Sequence, residues 1–487
     1  MMINQLSRKV LLVVMSYSLL TSISIDANEI KLPDMGSPAD TILSLNKEAQ
    51  LGYAMMRDIR KSGQVVEDPI VTEYINQIGN KIAAQTNDGN YNFTFFVIKD
   101  SRINAFALPG GYIGVHTGLL EATRNENELA GVLAHEIAHV TQRHIARAIY
   151  ANSKQSILSQ AIMLGAIIAG AATGSSDAVQ AGVAVAQGTA MQQQINFTRS
   201  NEHEADRIGI SALASAGFDP YGMASFFDVL SRRIIRAPGE RVPEFLRTHP
   251  VTSSRIAEAR DRARNLEKIK NKDSISYGIT KIRTIVDRFQ SSKEAVNYFE
   301  SRAYQNQNDL DRYGRFLSYI RDGKPEKARD IIDYLISKNP NIIAYHIALG
   351  DTLVLQKQNK KAIAVFDNAL ELFPRNAPLV IAYAERLLEL DNAEKSHDLL
   401  LDLLNNFPPT PDQVRLIARA ANAAGKNAES LYYLSEYRLM IGDLSGGIGY
   451  LKQALGLQNL QEIQRIRFEA RIDFIRDFMT EEQLKRM

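Results

Sequence analysis

The chain has 487 residues, 45% hydrophobic and 23% charged, which excludes wholesale disorder and suggests about three compact units. Lys and Arg number 57 against 55 Asp and Glu, and a net charge of +2 gives no bulk attraction for nucleic acid or an anionic membrane. With no cysteine, disulfides, iron–sulfur clusters, lipoprotein acylation, thiol catalysis and cysteine-ligated zinc are excluded, so any metal must be held by His, Asp or Glu.

Residues 1–27 predict a cleavable export signal: Arg8 and Lys9, an apolar run from Val10 to Leu20, then small residues with cleavage after Ala27 or Ser24. The run is shorter than the roughly 20 residues a membrane span needs. Ile25, three residues before the Ala27 site, leaves an uncleaved anchor as the alternative. An exported, cysteine-free, nearly neutral chain fits the bacterial periplasm.

Residues 38–85 have helical apolar spacing, and YNFTFFVIKD at 91–100 alternates as a strand does. The next segment, RINAFALPGGYIGVHTGLL, reads as strand–turn–strand about its Pro-Gly-Gly. Glu126 to Ala148 predicts one helix. Residues 157–174, interrupted by Ser159, Gln160 and glycines, predict a buried or lid-like helical hairpin over the active site, with a membrane span as the alternative. Residues 188–230 read as helical, and a charged helix follows Arg255.

From residue 309 the chain repeats. Pro340, Pro374 and Pro408 lie 34 residues apart, as do Ala328, Ala362, Ser396 and Ser430 and the small residues Gly350, Ala384 and Ala418. That period, with a small residue where two helices meet and proline after the second, is the tetratricopeptide pattern. The units fall at 309–342, 343–376, 377–410 and 411–444, with a less regular helical end. The organisation expected is a signal (1–27), a metallopeptidase domain (28–265), a helical linker (266–308) and a repeat domain (309–487).

The chemistry is expected in the middle. His135-Glu136-Ile137-Ala138-His139 is an H-E-x-x-H motif in a helical pattern. Residues four apart share a helix face, so both imidazoles reach one Zn²⁺ while Glu136 faces the water that zinc acidifies. A catalytic zinc takes three protein ligands. The candidate for the third is Glu202, with Asp206 on the same face to accept an N–H from a ligating imidazole. Glu204 is expected to face away and His203 to be an exposed neighbour; His116 and His144 are assigned to structure. His249, in Thr248-His249-Pro250, has three readings: a fourth ligand that displaces the water, a donor to the oxyanion, or a structural histidine. Arg255 is placed to support that loop by pairing with a carboxylate. Asn104, Ala105, Phe106, Gly110 and Gly111 are candidates for an accessible edge strand that binds substrate backbone, a plain hairpin turn being the alternative for the glycines.

His135-Glu136-Ile137-Ala138-His139 followed by Glu202-His203-Glu204-Ala205-Asp206 resembles the zinc metallopeptidases of the HtpX and CAAX-prenyl-protease type, whose motifs are HExxH and ExxAD. The export signal, the NAFALPGG and THP segments and the repeats are similar to the periplasmic members that act in outer-membrane β-barrel assembly. The resemblance implies an α+β zincin-like (gluzincin) domain, mainly helical with a small sheet, followed by an all-α tetratricopeptide solenoid. It implies one zinc ion held by His135, His139 and Glu202, with Glu136 catalytic and Asp206 acidic, either behind a ligand or as a proton donor. It implies unfolded or stalled outer-membrane barrel proteins as substrates, the barrel-assembly machinery as a partner through the repeats, and no more than peripheral membrane contact. The rival expectation is a tetratricopeptide binding scaffold whose zinc site is latent or vestigial.

Overall fold

A computed structural model describes residues 38–86, 91–150, 199–236, 243–269, 272–305, 308–406, 408–477 and 479. The signal at 1–27 and the hairpin at 157–174 lie outside the described residues. Among those described, no helix is long and apolar enough to cross a membrane.

The N-terminal half holds helices α1 (Leu45–Lys61) and α2 (Pro69–Ala83), strands β1 (Thr94–Ile98), β2 (Ala105–Leu108) and β3 (Tyr112–His116), and helices α3 (Thr117–Ala122) and α4 (Glu126–Thr141). After residue 198 come α5 (Arg199–Ser215), α6 (Tyr221–Arg236), α7 (Glu244–Thr248) and α8 (Ser253–Arg264). The sheet runs β1-β3-β2, with β1 parallel and β2 antiparallel to β3. The outer edge of β1 is partly covered by Val66, whose N–H donates to Val97 O at 2.8 Å. That leaves β2 as the opposite edge, beside α4.

Helix α4 is the axis of this half. Asn125 caps it by accepting from the Glu128 N–H at 3.0 Å. Every residue from Glu128 to Thr141 is buried, because α2, α5, α6 and the sheet surround it. A helix that apolar all round has no solvent face, as its sequence of Leu, Ala, Val and Ile indicates. Glu128 is tolerated inside because Arg124 (2.6 Å) and the Ser225 hydroxyl (2.8 Å) hydrogen-bond to its carboxylate. Gly209 of α5 sits where an added Cβ would lie 2.9 Å from Ala134 O, so its missing side chain lets α5 close on α4.

The helix predicted to run to Ala148 breaks instead. Gln142 and Arg143 form a turn with Arg143 at φ 52°, and residues 144–150 resume as a helix. The left-handed Arg143 is tied down by Asp40, Glu48 (3.1 Å) and Leu43 O (2.6 Å).

Among the described residues the C-terminal half is all helix: α9 (Ile275–Arg288) and α10 (Ser292–Gln305) both pack on the helix that follows them, and then come the packed pairs α11 (Asp309–Arg321) with α12 (Pro325–Lys338) and α13 (Ile343–Leu355) with α14 (Asn359–Leu372). There follow α15 (Ala377–Glu389) with α16 (Ala393–Asn406), α17 (Pro411–Ala423) with α18 (Asn427–Met440), and α19 (Leu444–Leu455) with α20 (Glu462–Arg476). Helices α11, α13, α15 and α17 begin 34 residues apart, as do α12, α14, α16 and α18. The period repeats in hydrogen bonds as well: Ser396 Oγ donates to Ala384 O (2.8 Å) and Ser430 Oγ to Ala418 O (2.9 Å). The segment expected as a linker contains α9 and α10, with α9 beginning 34 residues before α11. The fold is an α+β unit with a small sheet, followed by a helical solenoid with a 34-residue period.

Candidate metal centre

Four buried side chains from three segments converge: His135 and His139 from α4, Glu202 from α5 and His249 from the residue after α7. The spacing of four puts each pair on one face of its helix, and the close crossing of α4 and α5 brings the faces together. His135 Nε2 lies 3.0 Å from His139 Nε2, 3.3 Å from His249 Nδ1 and 3.5 Å from Glu202 Oε2. Glu202 Oε1 is 3.1 Å from His249 Nδ1 and 3.4 Å from His139 Nε2. A tetrahedral ion with ligands at about 2.0–2.1 Å separates them by about 3.3 Å, so these side chains fit one cation of that kind.

His135 Nδ1 is 2.9 Å from Asp206 Oδ1, so the carboxylate faces that nitrogen while Nε2 faces the cluster. Burial opposes protonation of His135, but its bonds to Asp206 and Glu202 outweigh it and raise the imidazole to about 9. Burial likewise pushes Glu202 up, yet His249, His135 and His139 hold it well below the usual carboxylate range. Burial takes His139 well below the ordinary imidazole value, with His135 adding to it.

Arg255, buried in α8, binds both carboxylates: Nη1 lies 2.7 Å from Glu202 Oε2, while Nε and Nη2 lie 2.7 and 2.8 Å from Asp206. The same guanidinium donates to Pro250 O at 2.9 Å and lies over the Phe227 ring. It therefore fixes the His249 loop to the acidic face of α5. The loop is also tied to the sheet: His249 N–H donates to Phe245 O (2.7 Å), and Phe245 N–H donates to Ile103 O (3.1 Å).

Glu136 points into the cluster, 1% exposed, with His249 Nε2 3.6 Å from its carboxylate. Burial raises its pKa against the opposing pull of His249, His135 and the Ala107 backbone N–H. A buried carboxylate whose proton affinity is raised suits a general base.

Two expectations change. The edge strand was expected to be accessible, but Asn104, Ala105, Phe106 and Ala107 are buried, covered by α4 and the α7 loop. Gly110 (φ 76°) and Gly111 (φ 88°) form the turn, where Gly110 rests against the backbone of Ala49 in α1. His144, assigned to structure because five residues on a continuous helix point away from His139, is instead 2.7 Å from His139 Nδ1. The break at Arg143, which no glycine or proline announced, swings it back. Glu204 faces away from the cluster but not into solvent alone: its carboxylate is 3.2 Å from His144 Nε2 and 2.9 Å from Arg147. His203 is half-exposed and pairs with Glu258 at 2.8 Å, outside the cluster. His116 is buried at the end of β3, and burial takes it down to about 4.

A buried H-E-x-x-H helix facing a carboxylate from a following helix, joined to a helical repeat array, defines a metallopeptidase with a tetratricopeptide domain. Residues 69–263 match the model of Peptidase family M48, and residues 353–420 match that of the tetratricopeptide repeat. The chain is 34% identical over 452 residues to the putative beta-barrel assembly-enhancing protease of Vibrio cholerae serotype O1, covering 91% of this chain and 92% of that protein. It is 33% identical to the beta-barrel assembly-enhancing protease of Escherichia coli strain K12, covering 91% of each. It is also 28% identical over 218 residues to the mitochondrial metalloendopeptidase OMA1 of Arabidopsis thaliana, covering 44% of this chain and 41% of that protein. The chain belongs to peptidase family M48, among the relatives named beta-barrel assembly-enhancing proteases, and is a metalloendopeptidase.

Proposed function

We propose that the chain is a periplasmic zinc metalloendopeptidase that promotes outer-membrane β-barrel assembly and degrades misassembled barrels, with His249 holding it latent. The set of ligand separations between 3.0 and 3.5 Å carries the reading. His135, His139 and Glu202 would hold one zinc ion per chain, and His249 Nδ1 would take the fourth position. Zinc bound there supplies a Lewis acid that polarises a substrate carbonyl.

Glu136 takes a proton from the attacking water and passes it to the leaving amine. Asp206 holds His135 in the tautomer a ligand needs, and Arg255 balances the charge of Glu202 and Asp206. With His249 within 3.6 Å of Glu136, the loop must withdraw before substrate reaches the base. The strand carrying Ala105 and Phe106 is buried while the α7 loop is in place, and substrate backbone is assigned to it only once that loop withdraws, with Asn104, Gly110 and Gly111 shaping its ends. The division into a signal (1–27), a peptidase domain (28–265), a helical linker (266–308) and a repeat domain (309–487) follows the motifs and the period. The repeat array recruits unfolded or stalled barrel proteins and contacts the barrel-assembly machinery; the names of the relatives support those partners. The export signal supports the periplasm.

The test is cleavage of an unfolded outer-membrane protein with and without chelator. Glu136→Gln abolishes cleavage and His249→Ala raises it several-fold. Undiminished cleavage by Glu136→Gln would refute the enzyme reading, and an unchanged rate in His249→Ala would refute the latent state.

A further inference from the structure

The proposed ligand His135 faces Asp206 from its Nδ1, and His139 also makes a close contact from its Nδ1. It meets a second imidazole there, His144 Nδ1, at 2.7 Å. Two imidazole nitrogens at that distance share one proton: one donates and the other accepts. Which does so is decided on the far side of His144, where Nε2 lies 3.2 Å from the Glu204 carboxylate. A carboxylate only accepts, so His144 Nε2 carries a hydrogen, and a neutral His144 then has a bare Nδ1. His139 must donate from Nδ1, which leaves its Nε2 lone pair facing His135 and Glu202. The reverse arrangement would put a hydrogen on His139 Nε2 and bar it from a metal.

We infer that His144 and Glu204 are positioning residues that fix the tautomer and ring orientation of His139, completing on one ligand what Asp206 does on the other. The device depends on the break in α4. On a continuous helix, five residues turn about 140° from His139, whereas the turn at Gln142 and Arg143 interrupts the helix and His144 Nδ1 comes to lie 2.7 Å from His139 Nδ1. Arg143 is locked by Asp40, Glu48 and Leu43 O, and Glu204 by Arg147 at 2.9 Å, so both ends of the relay are anchored. The carboxylate is two residues from Glu202 on the same helix, so α5 supplies a ligand to the metal with one face and tautomer control with another.

The inference rests on His139 being a metal ligand, and the test separates the two claims. Zinc affinity of the full-length chain is measured at neutral pH by competition with a chromophoric chelator, beside the melting temperature of the metal-free protein. His144→Ala weakens zinc binding by about 10–100-fold. His144→Asn, whose side-chain oxygen can accept from His139 and whose amide can donate onward, recovers most of the loss. Glu204→Ala, at a partly exposed position, leaves the metal-free melting temperature unchanged and weakens zinc binding several-fold. If His144→Ala fails to fold, the Glu204→Ala result decides alone. Zinc binding by Glu204→Ala or by a folded His144→Ala equal to that of the unaltered chain would overturn the relay, as would His144→Asn binding no better than His144→Ala. An unaltered chain that binds no zinc would overturn the metal reading itself, and the relay with it.

Discussion

Arg255 divides one guanidinium between Glu202 and Asp206, is 2% exposed, and also holds the carbonyl before the His249 loop turns away. Without it two buried carboxylates would repel each other in a low dielectric with only imidazoles to compensate. Arg255→Met should therefore lower the stability of the metal-free chain by about 3–5 kcal/mol, the cost of breaking a buried pair. Zinc should restore part of the loss by supplying the missing positive charge; this is read from chemical denaturation with and without the metal. A variant as stable as the original without metal would mean that the pair contributes nothing net. At this scale His135, Glu136, His139, Glu202 and Asp206 were legible, because each pair obeys the spacing of a helix face. His144 and Glu204 were not. Their meeting depends on one left-handed arginine whose partners, Asp40 and Glu48, lie about a hundred residues upstream.

The elements matter through how closely they cross. Helix α4 supplies two of the converging histidines and α5 the glutamate, so the cluster exists only while the helices stay in register. Gly209 sets that approach, since an added Cβ would lie 2.9 Å from Ala134 O, a backbone atom that cannot step aside. Gly209→Val should destabilise the chain by about 1–3 kcal/mol through overpacking. It should also weaken zinc binding, because Glu202 moves with its helix. Thermal melts and chelator competition on one sample would check both, and unchanged zinc affinity in a destabilised variant would sever the link between crossing and site. Strand–turn–strand and the buried α4 were readable from alternation and apolar content. The burial of β2 was not, since its cover comes from α4 and from α7, more than a hundred residues on.

Across the whole molecule the repeat array packs back on the peptidase. The Tyr53 hydroxyl of α1 lies 3.0 and 2.9 Å from Leu439 O and Met440 O at the end of α18. Asn376, before α15, donates to Glu73 of α2 at 3.0 Å, and Arg283 of α9 pairs with Asp68 at 2.6 Å. Between these anchors is a cavity of about 560 Å³, lined by Glu73, Asn76, Arg375, Glu385 and Arg419 among others. The 34-residue period was legible because Pro340, Pro374 and Pro408 punctuate it, whereas α9 and α10 lack that proline and read only as helix. No feature of one strand of sequence reports how two domains meet; the anchors are single side chains hundreds of residues apart. The account stands or falls on the metal, and the zinc content of the purified chain tests it most directly. It predicts about one zinc per chain, lost on His135→Ala. Less than about half a zinc per chain, or a content that His135→Ala leaves unchanged, would contradict it and favour a binding scaffold.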